Sequence, residues 1–157
     1  MLIHQKILIM GLSGAGKTAL AATLTPILGA VHFNADDVRK SVYKDLRYSR
    51  EDVVEQARRM GRYCDSVTAA GRFAIADFIC PTPEARQAFG TAFVVWVDRI
   101  QERSYADANR LFVPPKNYNV RVLPDGSPHV WATHIWKRLK EHRNEGFEPS
   151  EAVIFRR

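Results

Sequence analysis

The sequence predicts an α/β fold: a three-layer sandwich in which helices cover both faces of a mostly parallel five-stranded sheet. Three observations support this prediction. Short apolar runs alternate with helix-like segments, a glycine-rich stretch follows the first run, and a length of 157 residues suits one domain. The runs that predict strands span residues 6–10, 31–34, 72–78, 92–97 and 118–123.

Composition limits the class of protein. Hydrophobic residues make up 46% of the chain and charged residues 25%, as in ordinary globular proteins. No apolar run approaches the roughly 18 residues that a membrane span needs. The first strand begins at residue 6, which leaves no room for a cleavable signal, so we expect a cytoplasmic protein with no membrane partner. The net charge of +6 is compatible with a nucleic-acid partner, but we interpret it as a basic solvated surface.

The stretch after the first strand carries the most specific motif. Residues 11–18 read G-L-S-G-A-G-K-T and match the phosphate-loop pattern G-x-x-x-x-G-K-[ST]. The glycines let the backbone turn, so that main-chain N–H groups and the following helix N-terminus surround a triphosphate. Lys17 is predicted to contact the β- and γ-phosphates, and Thr18 to bind Mg²⁺. The predicted nucleotide-binding residues of this loop are Gly11, Ser13, Gly14, Ala15, Gly16, Lys17 and Thr18.

Two acids and an arginine follow the second predicted strand. Asp36, Asp37 and Arg39 lie at its carboxyl end, which is where open α/β sheets bind ligands. A carboxylate there can accept the proton of an attacking hydroxyl, and an arginine can bind a phosphate or sulfate. Capping of the next helix is the alternative role for Asp36. We predict that Asp36 is catalytic.

The third predicted strand also ends in an acid, Asp77. In many nucleotide enzymes a carboxylate at this position orients the metal ion, so we predict that Asp77 helps Thr18 to hold Mg²⁺. A buried, salt-bridged or capping aspartate is the alternative interpretation.

Three further segments are predicted to be helices. Residues 49–70 place apolar side chains at intervals of three or four, and Ser49 can cap the first turn. Another helix begins at Thr82-Pro83, since proline suits the first helical position. The apolar stripe of the last helix, which we expect in the core, consists of Trp131, Ile135 and Leu139.

Other charged and sulfur-containing residues indicate no further chemistry. Arg58, Arg59 and Arg62 lie on the opposite side of the first of these helices, where they are either solvated or bound to a ligand's negative charge. Cys64 and Cys80 are interpreted as two buried reduced thiols. The spacing of the histidines does not indicate zinc.

Four motifs in order make the chain similar to the adenylylsulfate kinases, a family of P-loop kinases. After the phosphate loop, that family has D-G-D-N-V-R, then N-x-D-L-G-F-S-x-E-D-R-x-E-N-I-R-R, then a strand ending F-I-S-P, then Y-E-P-P. The matching stretches here are N-A-D-D-V-R at 34–39, Y-K-D-L-R-Y-S-R-E-D at 43–52 with E-Q-A-R-R at 55–59, F-I-C-P at 78–81 and F-V-P-P at 112–115. The resemblance extends over nearly all of the chain up to residue 123.

The resemblance implies a P-loop kinase-like fold and transfer of the γ-phosphate of ATP to a hydroxyl, with ATP and Mg²⁺ as cofactors. It makes Asp36 the acid beside the accepting hydroxyl, Arg39 a contact to the acceptor's anionic group, and Tyr48 a ring that stacks on its adenine. Together with the phosphate loop and the acid that ends the third strand, it gives Lys17, Asp36 and Asp77 as the predicted catalytic residues. The implied acceptor-binding residues are Asp36, Arg39, Tyr48, Gln56 and Ile79. We expect residues 1–143 to form the kinase domain and residues 144–157 an arm packed on it.

The chain departs from the family pattern at the acceptor side. Val53 stands where the family has an arginine, and Gln56 where it has an asparagine. The lysine-rich lid is shortened to residues 99–111, in which Arg103 and Arg110 are predicted to contact the phosphates and Arg99 is a further candidate.

Three functions remain open from the sequence. The first is an adenylylsulfate kinase that phosphorylates the 3′-hydroxyl of this small-molecule nucleotide. The second is a kinase acting on another hydroxyl, such as a nucleoside or a hydroxymethylated base in DNA, which the shortened lid and the basic charge favour. The third is a nucleotide-binding module without transfer activity.

Overall fold

The computed structural model describes residues 5–42, 45–99, 107–145 and 153–154. The strands are β1 (Lys6–Met10), β2 (Val31–Asn34), β3 (Ala74–Asp77), β4 (Phe93–Val97), β5 (Val120–Val122) and β6 (Val153–Ile154). The helices are α1 (Lys17–Leu28), α2 (Ala35–Ser41), α3 (Arg50–Ala69), α4 (Pro83–Phe89) and α5 (Pro128–Glu145), with a 3₁₀ helix at Asp107–Leu111.

The strands form one sheet in the order β2-β3-β1-β4-β5-β6, and each neighbouring pair is parallel. The predicted α/β fold with its five strands is therefore confirmed. A strand that the apolar pattern did not predict, β6, adds two residues of the segment 144–157 beside β5. The strand β3 is shorter than the predicted run 72–78 at both ends, although Phe78 remains buried, 6% exposed, beyond the last strand residue.

Two apolar layers cover the sheet, one on each face. The side chains of Ile7 and Ile9 in β1 pack toward α1 and α5, whereas those of Leu8 and Met10 pack toward α3 and α4. This alternation follows from the two-residue period of a strand, and all five β1 residues are buried because helices cover both faces. In α5, the predicted core stripe is confirmed, since Trp131, Ile135 and Leu139 are at most 3% exposed.

Two helices begin where the sequence predicts. The Ser49 hydroxyl caps α3 by accepting a hydrogen bond from the Asp52 backbone N–H at 3.1 Å. The Thr82 hydroxyl caps α4 in the same way, and Pro83 occupies the first helical position. Among the described helices, none is both long enough and apolar enough to cross a bilayer.

Ion pairs decide whether Arg58 and Arg59 of α3 are solvated or bind a ligand. Arg58 pairs with Glu55, and Arg59 bridges Glu55 and Asp45 at 3.0 and 3.2 Å. The hydrogen bond from Arg59 lowers the pKa of the Glu55 carboxyl. These contacts favour a solvated network of charges over a ligand site on this side of α3. Both cysteines are free and buried, as predicted.

The helices α3 and α4 meet at a glycine. A Cβ atom on Gly61 would lie 2.3 Å from the backbone oxygen of Phe89, the last residue of α4. That oxygen also accepts a 2.6 Å hydrogen bond from the Lys6 ammonium, which fixes its position. Close contact between the two helices therefore requires a residue without a side chain at position 61.

We predict that Gly61→Ala destabilises the protein by about 1–3 kcal/mol, because the added methyl group overpacks this contact. Helix propensity alone predicts the opposite sign, a gain of about 1 kcal/mol. The measurement is the free energy of unfolding in urea. Ser66→Ala, at an exposed position of the same helix, is the control and should change stability by less than about 0.5 kcal/mol. A stabilised Gly61→Ala protein would contradict the packing described here.

Candidate nucleotide site

The loop between β1 and α1 depends on glycine at two positions. At Gly11 the φ angle is 148°, and a Cβ atom would lie 2.4 Å from the backbone oxygen of Val97 in β4. Gly16 immediately precedes α1 with a φ angle of 96°, a left-handed conformation that other residues rarely adopt. The loop therefore lies against the end of β4 and directs the N-terminus of α1 toward the cavity described below.

Lys17 is buried beneath this loop. Its ammonium group donates a hydrogen bond to the Leu12 backbone oxygen at 2.7 Å, and the residue is 8% exposed. Burial lowers the pKa of Lys17 to about 8, and this effect is opposed by the negative charges of Asp77 and Asp36. The negative charges of the two acids predicted to act in catalysis therefore stabilise the protonated form of the predicted phosphate-binding lysine.

A contact to this loop comes from the shortened lid. Asn109, in the 3₁₀ helix, accepts a hydrogen bond from the Ser13 backbone N–H at 3.0 Å through its side-chain oxygen and is fully buried. Arg110 is exposed in the same helix, and Arg103 lies outside the described residues. Arg99 donates to the Pro124 backbone oxygen at 3.0 Å, and its Nη1 lies 3.9 Å from where a Cβ would stand on Gly16.

The carboxylate of Asp77 joins three elements at the ends of β2 and β3. Its Oδ1 accepts hydrogen bonds from the Thr18 hydroxyl at 2.9 Å and from the Asn34 amide at 3.0 Å. Its Oδ2 contacts Nε2 of His32. The predicted pair Thr18 and Asp77 therefore lies together, with Asp77 only 1% exposed.

Capping does not explain Asp36. The residue that caps α2 is Asn34, whose side-chain oxygen accepts a hydrogen bond from the Asp37 backbone N–H at 3.0 Å. Asp36 itself is exposed on the first turn of α2 and lines the cavity. The alternative role that the sequence left open for Asp36 is thus wrong.

Arg39 organises the predicted acceptor side. Its guanidinium donates hydrogen bonds to the Arg47 backbone oxygen at 2.8 Å and to the Gln56 side chain. It also lies over the ring of Tyr48, 4.1 Å from the ring centre. Its buried Nε has no hydrogen-bond partner among the described residues. A rigid cation next to an aromatic ring suits a ligand with both an anionic group and a base.

Val53 and Gln56, the two residues that differ from the family pattern, line the cavity beside Arg39. They are 3% and 5% exposed, and Gln56 also donates to the Ala35 backbone oxygen at 3.4 Å. Because Val53 is apolar and buried, it contributes no charge to this part of the cavity.

One cavity of about 630 Å³ is lined by both sets of residues. Its loop side contains Ser13, Gly14, Gly16, Lys17 and Thr18. Its acceptor side contains Asp36, Arg39, Tyr48, Val53, Gln56 and Ile79, and Asp77 lies between the two sides.

Three of the predicted nucleotide-binding residues do not line the cavity, namely Gly11, Ala15 and Arg110. In the case of Gly11 the reason is its packing against β4, and the Ala15 N–H donates to the Leu12 backbone oxygen at 3.2 Å.

The residues at the inner end of the cavity suit Mg²⁺. Thr18 and Asp77 offer a hydroxyl and a carboxylate oxygen, which are the hard ligands this ion prefers. Magnesium usually keeps several waters and takes one or two protein ligands, so a two-residue site of this kind is sufficient.

Three polar residues of the site were missed by the sequence reasoning, namely His32, Asn34 and Asn109. For Asn34 the sequence does contain a signal, because Asn34 ends the second predicted strand as Asp77 ends the third. In the structure the two residues are paired in register. His32 lies inside a strand, where polar residues usually face solvent, and Asn109 lies in a segment with no periodic pattern.

Comparison with known proteins agrees with this geometry. The adenylylsulphate kinase family model matches residues 4–101. An adenylyl-sulfate kinase of Shewanella baltica (strain OS195) is 38% identical over 90 residues, which cover 54% of this chain and 44% of the relative. The match thus spans less than half the length of that curated relative.

Solved structures share the fold at lower identity. The APS kinase CysC of Mycobacterium tuberculosis, in complex with AMPPNP and APS, superposes with a TM-score of 0.77 at 22% identity, over 87% of this chain and 98% of the other. A gluconokinase of Sinorhizobium meliloti gives 0.63 at 11% identity, over 88% and 93%. These likenesses confirm the P-loop kinase-like fold. With a family model that matches more than half of its residues, the chain belongs to the adenylylsulphate kinase family.

Proposed function

We propose that this protein is an ATP-dependent kinase that transfers the γ-phosphate to the 3′-hydroxyl of adenylylsulfate. One observation carries the proposal: a single cavity joins the phosphate loop to an acid, an arginine and an aromatic ring on its far side. Family membership supports transfer to a hydroxyl, and the structure of the mycobacterial relative in complex with AMPPNP and APS supports this particular acceptor.

On the donor side, the loop's main-chain N–H groups and the Lys17 ammonium bind the polyphosphate. Lys17 exchanges the Leu12 oxygen for phosphate oxygens, which offer it full negative charge in place of a carbonyl dipole. Thr18 and Asp77 would hold Mg²⁺, which would supply further charge neutralisation of the phosphates.

On the acceptor side, Asp36 acts as the general base. Its carboxylate accepts the hydroxyl proton while the acceptor oxygen bonds to the γ-phosphorus and the bond to the bridging oxygen of ADP breaks. Arg39 binds the acceptor's anionic group through the two terminal guanidinium nitrogens, which contact the Arg47 and Gln56 oxygens in this structure. The ring of Tyr48 stacks on the base through the face not covered by Arg39.

A second candidate function is a kinase for another hydroxyl, such as that of a nucleoside or a hydroxymethylated base in DNA. The observation that favours it is Val53, which places a buried apolar side chain where the family pattern has an arginine. Arg39 is consequently the cation that the described acceptor side offers, and recognition of a phosphosulfate is weaker than the family pattern implies.

An acceptor panel tests the proposal. We expect labelled ATP to give a labelled product with adenylylsulfate and not with nucleosides or hydroxymethylated DNA. Labelling of another acceptor alone would establish the second candidate. Tight ATP binding without any labelling would point to a nucleotide-binding module instead.

We predict that Asp36→Asn lowers phosphoryl transfer by about 10²–10⁴-fold, the usual contribution of a general base, with little change in ATP binding. The matched control is Asp37→Asn, which removes the neighbouring exposed carboxylate and keeps the N–H that Asn34 caps. Initial rates and calorimetric ATP affinity are the measurements. Equal rates for the two variants would remove Asp36 from the mechanism.

We predict that ATP affinity without metal falls above about pH 8, because the free protein loses the Lys17 proton there. Only the protonated ammonium binds polyphosphate well, so ATP binding above pH 8 should take up a proton. Calorimetry in buffers of different ionisation enthalpy measures this uptake. Lys17→Arg, which stays charged, should show no uptake, and an equal pH dependence in that variant would assign the effect to another group.

A further inference from the structure

We propose that Asn34 and Asp77 form an exchangeable amide–acid pair, so that the single carboxylate of the Mg²⁺ site can come from either β2 or β3. The inference rests on the proposed function, because it concerns the residues that would hold the metal ion there. The new element is that the negative charge can lie on residue 34 instead of residue 77.

The backbone places the two side chains side by side. Asn34 and Asp77 are the last residues of β2 and β3 and are paired in register. The Asn34 amide nitrogen lies 3.0 Å from Oδ1 of Asp77 and 3.1 Å from the Thr18 hydroxyl oxygen. Both side chains therefore contact the same loop hydroxyl, which is the group expected to bind the metal ion.

The hydrogen bonds of the three residues leave one position open on Thr18. Its hydroxyl donates to Asp77 and accepts from Asn34, and one of its two lone pairs remains for a cation. Asn34 uses both N–H groups on Thr18 and Asp77, while its oxygen caps α2. This pattern fixes the orientation of the Asn34 amide and of the Thr18 hydroxyl.

The family motif places an acid on the other member of the pair. In D-G-D-N-V-R, the first position is an aspartate, and the corresponding residue here is Asn34. The negative charge at this point of the site therefore lies on the neighbouring strand, at Asp77. Two carboxylates 3 Å apart would repel each other, so an amide at one position accompanies an acid at the other.

His32 explains why the charge is stable on β3. It contacts Oδ2 of Asp77, so both oxygens of this buried carboxylate have partners. If the charge moved to residue 34, an asparagine at residue 77 could still accept a hydrogen bond from His32 through its oxygen and donate to the new carboxylate through its nitrogen. Each polar atom of the present pair thus keeps a partner in the exchanged pair.

The experiment measures binding of Mn²⁺ to the complex of the full chain with ADP, followed by electron paramagnetic resonance. We expect Asp77→Asn to weaken Mn²⁺ binding by about 10–100-fold, and the double variant Asn34→Asp with Asp77→Asn to recover most of that loss. The control is Asp37→Asn, which removes a nearby exposed charge and should leave Mn²⁺ affinity unchanged. A double variant that binds Mn²⁺ no better than Asp77→Asn would overturn the proposal.

The single variant Asn34→Asp gives a second test that does not depend on folding of Asp77→Asn. It adds a carboxylate to the site, so Mn²⁺ should bind at least as tightly as to the natural chain, while thermal stability without metal should fall through repulsion of the two acids. Weaker Mn²⁺ binding by this variant would refute exchangeability.

The outcome separates this inference from the proposed function. If the natural chain binds no Mn²⁺ in the presence of ADP, both are wrong. If it binds Mn²⁺ and the double variant fails to recover affinity, only the exchange is wrong. If the double variant recovers affinity while no acceptor in the panel is phosphorylated, the exchange stands and the kinase assignment fails.

Discussion

The arrangement of the site depends on one buried carboxylate. Asp77 is almost inaccessible, and a buried charge of this kind is tolerated only when hydrogen bonds and opposite charges compensate its lost hydration. Thr18 of the loop, Asn34 of β2 and His32 of β2 supply those hydrogen bonds. The need to satisfy Asp77 therefore holds the phosphate loop against the ends of two strands, and the two sides of the cavity meet at that junction.

The second organising constraint is the parallel sheet. Because β1, β2 and β3 run in the same direction, their carboxyl ends meet at one edge, where the loop, α2 and the residues after β3 all begin. Donor and acceptor sides come together for this reason, although the chain separates Ser13 from Ile79 by 66 residues. The helix α3 closes the far side with Val53 and Gln56, and the ion pairs of Arg58 and Arg59 remain outside.

Local patterns predicted most of the fold and the inner part of the site. The loop, Ser49 and Thr82 act through contacts with residues a few positions away, and the alternation of β1 follows from its own sequence. Contacts between segments that are far apart in the sequence could not be predicted in this way. No local signal shows that Asn109 reaches Ser13, or that His32 points at Asp77, because each depends on how separate elements pack. The strand β6 was missed for a related reason, since two residues carry too little pattern.

The hydrogen bond between Lys17 and the Leu12 oxygen has a consequence for turnover. The carbonyl satisfies the buried ammonium from within the chain itself. Under the proposed function, a nucleotide phosphate would have to displace this carbonyl in order to reach Lys17, and the carbonyl would return to the ammonium when the nucleotide leaves. Such competition would lower the affinity for donor and product alike, and it would favour rapid exit of the spent nucleotide over long residence.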